Sequence, residues 1–414
     1  MVIDSLKYNG LCSCGREHKM ETVFSVVENG CLKDVNRYMK EYNLQGYTVA
    51  VYDENTYKAT VDRHPDADLE IILNPQNLHA NEHGVELLLK QLPQNTQVLI
   101  AVGSGTIHDI VRYCAYQKGI DFVSCPTAAS VDGFCSSVAA MTWNGCKKTL
   151  TAVAPKIVVA DIDVIKNAPI RLAKSGFGDI IGKYIALTDW KIAHILTNEF
   201  YCERIARITL EATKSVLEAV DGIIGGQRQS YEKLMCGLLL SGLAMQMMGN
   251  SRPASGAEHH ISHLIEMSPV GLDISSSALH GEKVGVGTLM VIEEYKRLAR
   301  APEISFLDYT EFNRQTMVDV FGETAAEEIL KENEHDVATS VTSVMLQSHW
   351  KEICEEIKNL PEIEFLRNVY LKFGVKSRLS DIDLDDAVSK KLLDYSPLAR
   401  NRLTLMRLRC CFNF

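Results

Sequence analysis

The sequence predicts an α/β protein of two domains: a Rossmann-like N-terminal domain with a mostly parallel sheet, and an all-helical C-terminal domain. The chain has 414 residues, which is too long for one compact core. Up to residue 169, short β-prone runs alternate with helical patterns, as in a parallel sheet covered by helices. After Pro169, long helical patterns dominate and strand-like runs nearly vanish. We therefore predict domains at residues 1–169 and 170–414.

The individual elements follow from hydrophobic periodicity and residue type. Strands are predicted in the first domain at residues 46–53, 69–73, 97–102, 121–124 and 157–160. Helices are predicted there at residues 83–92 and 106–117. In the second domain, helices are predicted at residues 173–195, 203–220, 231–248 and 258–267, and over much of 284–299 and 323–359.

Composition limits the classes of partner. The 43 basic and 53 acidic residues give a net charge of −10, and no long basic run is present, which argues against a nucleic-acid partner. The N-terminal residues lack the apolar core of a signal peptide, and no apolar run approaches the roughly 20 residues that span a bilayer. We therefore expect a cytoplasmic protein with no membrane partner. Its 12 cysteines are too sparse for a disulfide scaffold, so most should be reduced thiols.

A glycine turn follows the third predicted strand. Gly103, Ser104 and Gly105 allow a sharp bend, and a helix that opens at Thr106 and Ile107 directs free N–H groups towards the same place, which suits a phosphate or pyrophosphate. The full G-x-G-x-x-G pattern is absent because His108 occupies the third glycine position. A plain strand-to-helix corner would have the same glycines.

Two acids lie close to predicted strand ends. Asp53 ends a strand, where a carboxylate can bind a ribose diol or cap the next helix. Asp132 lies in a loop rich in small and hydroxyl residues, which can contact phosphate, ribose or substrate hydroxyls, although an ordinary polar loop has a similar composition. The other candidate residues of this loop are Thr127, Ala128, Ala129, Ser130 and Ser136.

One carboxylate and several histidines form the strongest signal. Asp179 lies in a segment expected to open a helix. His259 and His263 are four residues apart and share one helix face, and His280 follows later. One aspartate and two histidines make a suitable ligand set for a divalent transition metal with an open position. The alternative is a capped helix with solvated histidines, and His260 is expected to point away.

A second cluster, Cys12, Cys14 and His18, has the spacing C-x-C-x3-H. A zinc site is conceivable, but the usual C-x2-C spacing is absent and no fourth ligand follows.

Taken together, these motifs resemble the glycerol-1-phosphate dehydrogenase family, within the superfamily of iron-containing alcohol dehydrogenases, glycerol dehydrogenases and dehydroquinate synthases. The resemblance covers most of the chain, from about Asp53 to beyond His280. The motifs stand in the family's order: G-S-G-T-I-H-D at 103–109, P-T-A-A-S-V-D-G at 126–133, G-D-I-I-G-K at 178–183, S-G-A-E-H-H-I-S-H at 255–263 and H-G-E-K-V-G-V-G at 280–287. Residues 154–161 and 251–259 resemble the glycerol-1-phosphate branch in particular.

The resemblance implies a dehydroquinate synthase-like fold and NAD(P)H-dependent reduction of glycerone phosphate to sn-glycerol 1-phosphate. It implies that Asp53 holds the adenosine ribose, that residues 103–107 cradle the pyrophosphate, and that residues 127–130 with Ser136 contact the rest of the cofactor. Asp179, His259 and His280 would bind one divalent metal ion, Zn or Ni. Asp132, Asp179 and His263 would face the substrate, with Asp179 and His263 as catalytic residues.

The same resemblance leaves several points open. The Asp53 carboxylate would repel a 2′-phosphate, so we expect NAD to be preferred, with NADP possible. Lys183, Arg252 and Lys283 are candidates for the substrate phosphate, although each could equally be a solvated surface charge. A homodimer is plausible for the family. The rival functions are glycerol dehydrogenase, a dehydroquinate synthase-like enzyme, whose first metal ligand is a glutamate, and a non-catalytic nucleotide-binding protein.

Overall fold

A computed structural model describes residues 1–143 and 146–413. The chain divides into two compact units. The first unit comprises Met1–Ile180 and Arg207–Ser251, and the second comprises Ile181–Ala206 and Arg252–Phe414. The units therefore do not follow chain order, because residues 207–251 group with the sheet, and the predicted boundary at 169 stays a prediction. Among the described residues, no helix is both long enough and apolar enough to cross a membrane.

The strands are named in chain order: β1 Val2–Ile3, β2 Gly10–Leu11, β3 Glu17–His18, β4 Phe24–Glu28, β5 Tyr47–Asp53, β6 Leu69–Leu73, β7 Thr96–Gly103, β8 Asp121–Pro126, β9 Val138–Trp143, β10 Cys146–Thr151, β11 Ile157–Asp161, β12 Ser305–Phe306 and β13 Phe412–Asn413. The helices are α1 Val35–Glu41, α2 Glu54–Ala59, α3 Glu82–Leu89, α4 Gly105–Lys118, α5 Ile162–Asn167, α6 Ile170–Ile181, α7 Lys183–Thr197, α8 Glu203–Glu218, α9 Val220–Ile224, α10 Arg228–Met248, α11 Ala257–Met267, α12 His280–Ala299, α13 Arg314–Glu332, α14 Ser343–Lys358, α15 Ile363–Phe373 and α16 Ser389–Tyr395.

The first unit is built on a seven-stranded sheet with strand order β1-β4-β11-β8-β7-β5-β6. Every neighbouring pair is parallel except β1 with β4, which is antiparallel. The predicted fold class, a mostly parallel sheet followed by a helical region, is confirmed. The five predicted strands correspond to β5, β6, β7, β8 and β11. The prediction missed β4, which lies inside the sheet, and the antiparallel hairpin of β9 and β10.

Both faces of this sheet are apolar, because alternate side chains of a strand point to opposite faces. On β5, Ala50 and Tyr52 pack into one hydrophobic cluster, and Val49 and Val51 pack into the other. A strand that is buried on both sides reads as a continuous apolar run without alternation, which explains why the central strands were easy to predict.

One predicted helix is interrupted, since the helix expected at 173–195 breaks at Gly182 into α6 and α7. The helical pattern expected over much of 323–359 corresponds to the end of α13 and to α14. The expectation that Asp179 opens a helix is therefore wrong, since Asp179 lies in the last turn of α6. An apolar pattern that is averaged over many residues does not reveal a break at a single residue such as Gly182.

The second unit contains a buried carboxylate that ties several of its segments together. Asp189 on α7 accepts hydrogen bonds from the Tyr295 hydroxyl at 2.6 Å, from the Ala257 amide at 2.9 Å and from the Leu405 amide at 2.9 Å. Burial raises the pKa of Asp189 to about 6 despite these donors. The bond to Ala257 fixes the start of α11, the helix that carries the predicted histidines.

Candidate active site

The glycine turn has the tight geometry that the sequence predicted. A Cβ at Gly103 would lie 2.6 Å from the Cβ of Ile107, so only glycine fits at the end of β7. Ser104 has extended backbone and precedes α4 without a side-chain cap, which leaves the first amides of α4 for a ligand. Thr106 lies in this first turn and is only partly buried. This end of α4 can therefore bind an anion.

The missing third glycine is replaced by a buried histidine. His108 Nδ1 donates to the Ser104 carbonyl at 2.9 Å, and its ring meets the Phe134 ring edge-on at 4.8 Å between centroids. Burial lowers the pKa of His108 to about 3, so the ring is neutral at physiological pH. His108 braces the turn from inside the fold and leaves the ligand side of the turn free.

The hydroxyl-rich loop is joined to the glycine turn. The Thr127 amide donates to the Gly103 carbonyl at 2.9 Å, and Ser175 Oγ on α6 donates to the Ser130 carbonyl at 3.2 Å. A Cβ at Gly176 would lie 2.1 Å from the Ala129 carbonyl oxygen, so α6 packs directly on the loop. The remaining predicted residues, Ala128 and Ser136, are buried within the same loop. The buried Ser130 hydroxyl has no hydrogen-bond partner among the described residues and is available to a ligand.

Asp53 lies at the same edge of the sheet as the glycine turn. Strand β5 is the neighbour of β7, and the register pairs Val51 with Ala101, so Asp53 comes two residues further along than that pair. Asp53 Oδ1 accepts the Thr56 amide at 2.8 Å and caps α2. The capping interpretation is confirmed, and ribose binding stays a prediction, because an N-cap uses one carboxylate oxygen and leaves the other for a ligand.

The structure brings Asp132 and Asp179 together within the first unit. The Asp132 amide donates to Asp179 Oδ2 at 3.1 Å, and Ser241 Oγ donates to Asp132 Oδ2 at 2.9 Å. Asp179 is fully buried, whereas Asp132 is partly exposed. A buried carboxylate that accepts a hydrogen bond from backbone is held in one orientation, as a metal ligand should be.

Sequence reasoning missed the arginine that supports this loop. Arg112 on α4 is buried and donates to the carbonyls of Gly133, Phe134 and Val138, and to the Asp109 carboxylate at 2.8 Å. The available signal was an arginine on a helix face that is otherwise apolar, where a buried charge must be paired.

In the second unit, the three predicted histidines converge. The ring of His259 lies 5.3 Å from that of His280 and 6.1 Å from that of His263, and the rings of His263 and His280 are 6.0 Å apart. His259 and His263 are buried on α11, and His280 begins α12. The alternative of solvated histidines is therefore wrong for His259 and His263.

Each of the two predicted metal-binding histidines contacts a glutamate through Nδ1. His259 Nδ1 lies 2.6 Å from Glu258 Oε1, and His280 Nδ1 lies 2.7 Å from Glu266 Oε1. When Nδ1 carries the shared proton, the lone pair of a neutral imidazole is on Nε2, as metal ligation requires. No role was predicted for Glu258 or Glu266, because no fixed spacing relates such a glutamate to its histidine. These donors fit a divalent metal ion.

The other two histidines of α11 are deeply buried and neutral. Burial lowers the pKa of His263 to about 3 and that of His260 well below its ordinary value. Neither ring nitrogen of His260 has a hydrogen-bond partner among the described residues. The nearby charges that further lower the pKa of His260 include Arg402, Arg400 and Arg407.

The three predicted phosphate-binding cations are all buried in the second unit, which excludes the alternative that they are solvated surface charges. Arg252 donates to Glu199 through Nε at 2.8 Å and through Nη2 at 3.2 Å, and also to the Leu403 carbonyl at 2.8 Å. These bonds give Arg252 a structural role in joining distant segments.

Comparison with known proteins agrees with this architecture. Residues 26–169 match the family described as "Iron-containing alcohol dehydrogenase". Among solved structures, sulfoacetaldehyde reductase from Bifidobacterium kashiwanohense, in complex with NAD+, is similar with a TM-score of 0.60. The similarity covers 95% of this chain and 94% of that one, at 12% identity, and it shows the fold alone.

Two curated relatives define the branch. Glycerol-1-phosphate dehydrogenase [NAD(P)+] from Geobacillus stearothermophilus is 33% identical over 408 residues, covering 95% of this chain and 94% of the relative. Glycerol-1-phosphate dehydrogenase [NAD(P)+] from Bacillus licheniformis is 40% identical over 303 residues, covering 70% of this chain and 75% of the relative. The chain belongs to the glycerol-1-phosphate dehydrogenase family.

Proposed function

We propose that this protein is an oxidoreductase that reduces glycerone phosphate to sn-glycerol 1-phosphate reversibly, with NAD(P)H and a metal ion. The observation that carries the proposal is the similarity over 95% of the chain to a glycerol-1-phosphate dehydrogenase [NAD(P)+]. The local geometry agrees with a dehydrogenase, because the anion-binding turn, the ribose-side carboxylate and the histidine cluster are all formed.

The cofactor site is assigned to the edge of the sheet in the first unit. Asp53 binds the adenosine ribose, residues 103–107 bind the pyrophosphate through their backbone amides, and residues 127–130 with Ser136 contact the remainder. Support comes from the bond between the Thr127 amide and the Gly103 carbonyl, and from the position of β5 beside β7. NAD is preferred over NADP, since the Asp53 carboxylate repels a 2′-phosphate.

The metal site is assigned to Asp179, His259 and His280, with Zn or Ni as the ion. The glutamates on both histidines support this set, because they orient the imidazoles and increase their basicity. When bound, the ion supplies Lewis-acid polarisation of the ketone oxygen, and the reduced nicotinamide supplies the hydride.

The substrate-facing residues are Asp132, Asp179 and His263, with Asp179 and His263 as the catalytic pair. His263 is neutral, so it can donate a hydrogen bond through one ring nitrogen and accept one through the other. The substrate oxygen, when it gains a proton, can receive it through His263 or through water. Asp132 keeps its side chain fixed through Ser241 while remaining partly exposed.

For the phosphate of the substrate, the predicted cations Lys183, Arg252 and Lys283 stay candidates, and Arg400 and Arg402 of the second unit join them. Their charges act on the α11 histidines, since Arg400 contributes to the lowered pKa of His263 and both contribute to that of His260. Burial and the charges of Arg252 and Arg400 lower the pKa of Arg402 to about 9, so it remains protonated at neutral pH and binds a dianion favourably.

The test is NADH oxidation by zinc- or nickel-loaded protein, with glycerone phosphate and with unphosphorylated dihydroxyacetone. We expect activity only with the phosphorylated ketone, and loss of that activity in Asp179→Ala and His259→Ala. Activity with dihydroxyacetone alone would instead identify a glycerol dehydrogenase. If neither ketone is reduced, the substrate of dehydroquinate synthase is assayed next. Absence of activity with that substrate as well would indicate a non-catalytic protein.

We further propose a cytoplasmic homodimer with no nucleic-acid or membrane partner. The net charge of −10 and the family support this proposal. Light scattering of the purified protein measures the assembly directly, and a monomer would contradict it.

A further inference from the structure

A short hairpin near the N-terminus has no part in the proposed reaction. Strands β2 and β3 pair antiparallel, with Gly10 opposite His18 and Leu11 opposite Glu17. The turn is closed by the bond from the Gly15 amide to the Cys12 carbonyl at 2.9 Å, and Gly15 has a φ of +86°, which favours glycine. The fold therefore places Cys12 and Cys14 on a tight turn and His18 on the returning strand.

The ligand atoms of Cys12, Cys14 and His18 all lie within 4.8 Å of one another. The distance from Cys14 Sγ to His18 Nε2 is 3.5 Å. Zinc bound tetrahedrally, with Zn–S near 2.3 Å and Zn–N near 2.0 to 2.1 Å, sets sulfur and nitrogen about 3.6 Å apart. The hairpin thus holds this pair of donors at the separation that zinc requires.

The orientation of His18 is fixed for metal binding. His18 Nδ1 contacts the Met247 carbonyl at 2.8 Å, at the end of α10. A carbonyl can only accept, so Nδ1 carries the proton and the Nε2 lone pair is directed towards Cys14. His18 and Cys12 are both buried, which slows exchange with solvent and favours a structural site over a labile one.

We propose that Cys12, Cys14 and His18 supply three of the four ligands of a structural zinc ion, distinct from the metal of the proposed active site. The two thiols bind as thiolates and release their protons, so no redox step is involved. The bound ion would fix the hairpin against the end of α10. The following residues already contact the same helix, since the amides of Glu21 and Thr22 donate to Gln246 Oε1.

The experiment separates this ion from the proposed active-site metal by using His259→Ala with His280→Ala. This double variant is expressed with zinc, purified by gel filtration and measured by elemental analysis. We expect one zinc per chain to remain, and to be lost when Cys12→Ser and Cys14→Ser are added. Cys354→Ser, at a partly exposed thiol of the second unit, is the matched control and should retain the zinc.

Two further measurements do not require the cysteine variants to fold. Mercurial titration of the His259→Ala, His280→Ala protein should release zinc to a colorimetric chelator as the thiols react. Replacement of zinc by cobalt should give thiolate-to-cobalt charge-transfer absorption, and His18→Gln should weaken cobalt binding. Absence of zinc in the histidine double variant, or cobalt binding without thiolate absorption, would overturn the proposal and leave a simple thiol–imidazole hydrogen bond.

Discussion

The glutamates that contact His259 and His280 give the sharpest test of the proposed metal site. In Glu258→Gln and Glu266→Gln, an amide oxygen can still accept the Nδ1 proton, so each ring keeps its orientation while the charge is removed. In the corresponding alanine variants, orientation and charge are both lost. We therefore expect metal affinity to fall in both series, with a greater loss for alanine than for glutamine.

The size of the effect follows from burial. Loss of such a supporting carboxylate weakens metal binding by about 10- to 100-fold, or about 1.4 to 2.7 kcal/mol. The Glu258 side chain is 0% exposed and that of His259 is 7% exposed, whereas the His280 side chain is 27% exposed. Solvent screens the second pair more, so we expect Glu258→Ala near the upper limit and Glu266→Gln near the lower one.

The assay is competition for zinc or nickel against a chelating dye, with apo-protein unfolding measured in parallel. Glu294→Gln is the matched control, because it removes a buried partner of Arg297 and Arg409 on the same helix α12 as His280. It should lower stability and leave metal affinity unchanged. If all four variants at Glu258 and Glu266 bind metal as tightly as the wild type, the assignment of His259 and His280 as ligands is refuted.

Three further predictions concern other parts of the fold. Asp53→Ser keeps the helix cap but removes the charge. It should raise kcat/KM for NADPH relative to NADH by about 100-fold, because charges a few ångströms apart interact by about 3 kcal/mol near a protein surface. Gly176→Ala forces a Cβ against the Ala129 carbonyl and should raise the KM for NADH and lower the free energy of unfolding by about 1 to 3 kcal/mol. The control variant Gly225→Ala, whose Cβ would make ordinary contacts, should change neither quantity. Equal effects in the two variants would exclude packing of α6 as the cause. Burial raises the pKa of Asp189 from 3.8 to about 6, so its contribution to stability is present below about pH 4 and is lost as pH rises through about 6. Urea unfolding should show that the wild type loses about 3 kcal/mol of unfolding free energy relative to Asp189→Asn across this interval. Parallel stability curves for the two proteins would contradict this prediction.

The central strands were predicted because they are buried along nearly their whole length. Strand β7 is buried over most of its length and reads as one apolar run. Strand β4 is also buried, but no α-helix precedes it in the chain, so no preceding helix pattern defined it. The break at Gly182 was missed because α6 and α7 are both rich in buried apolar residues, and the average pattern continues across the turn.

The candidate site shows the same limit at the level of side chains. Contacts that depend on neighbours in sequence, such as the capping of α2 by Asp53, were predictable from the motif. Long-range supports were not: Ser241 reaches Asp132 across 109 residues, and Asp189 reaches Leu405 across 216. Such partners arise from tertiary packing, and a single sequence carries no spacing rule for them.

The charges around the histidine cluster support the proposed metal site. Three imidazoles lie within about 6 Å of one another, and if all were protonated each pair would repel by about 3 kcal/mol at an effective dielectric of about 20. Neutral rings avoid this repulsion, but the carboxyl groups of Glu258 and Glu266 then face imidazoles that carry no full positive charge. Glu258 is completely buried, and its Oε2 makes no hydrogen bond among the described residues. In the proposed site, a divalent ion on the Nε2 atoms of His259 and His280 would resolve both problems, because it would need neutral imidazoles and its charge would compensate the glutamates through them.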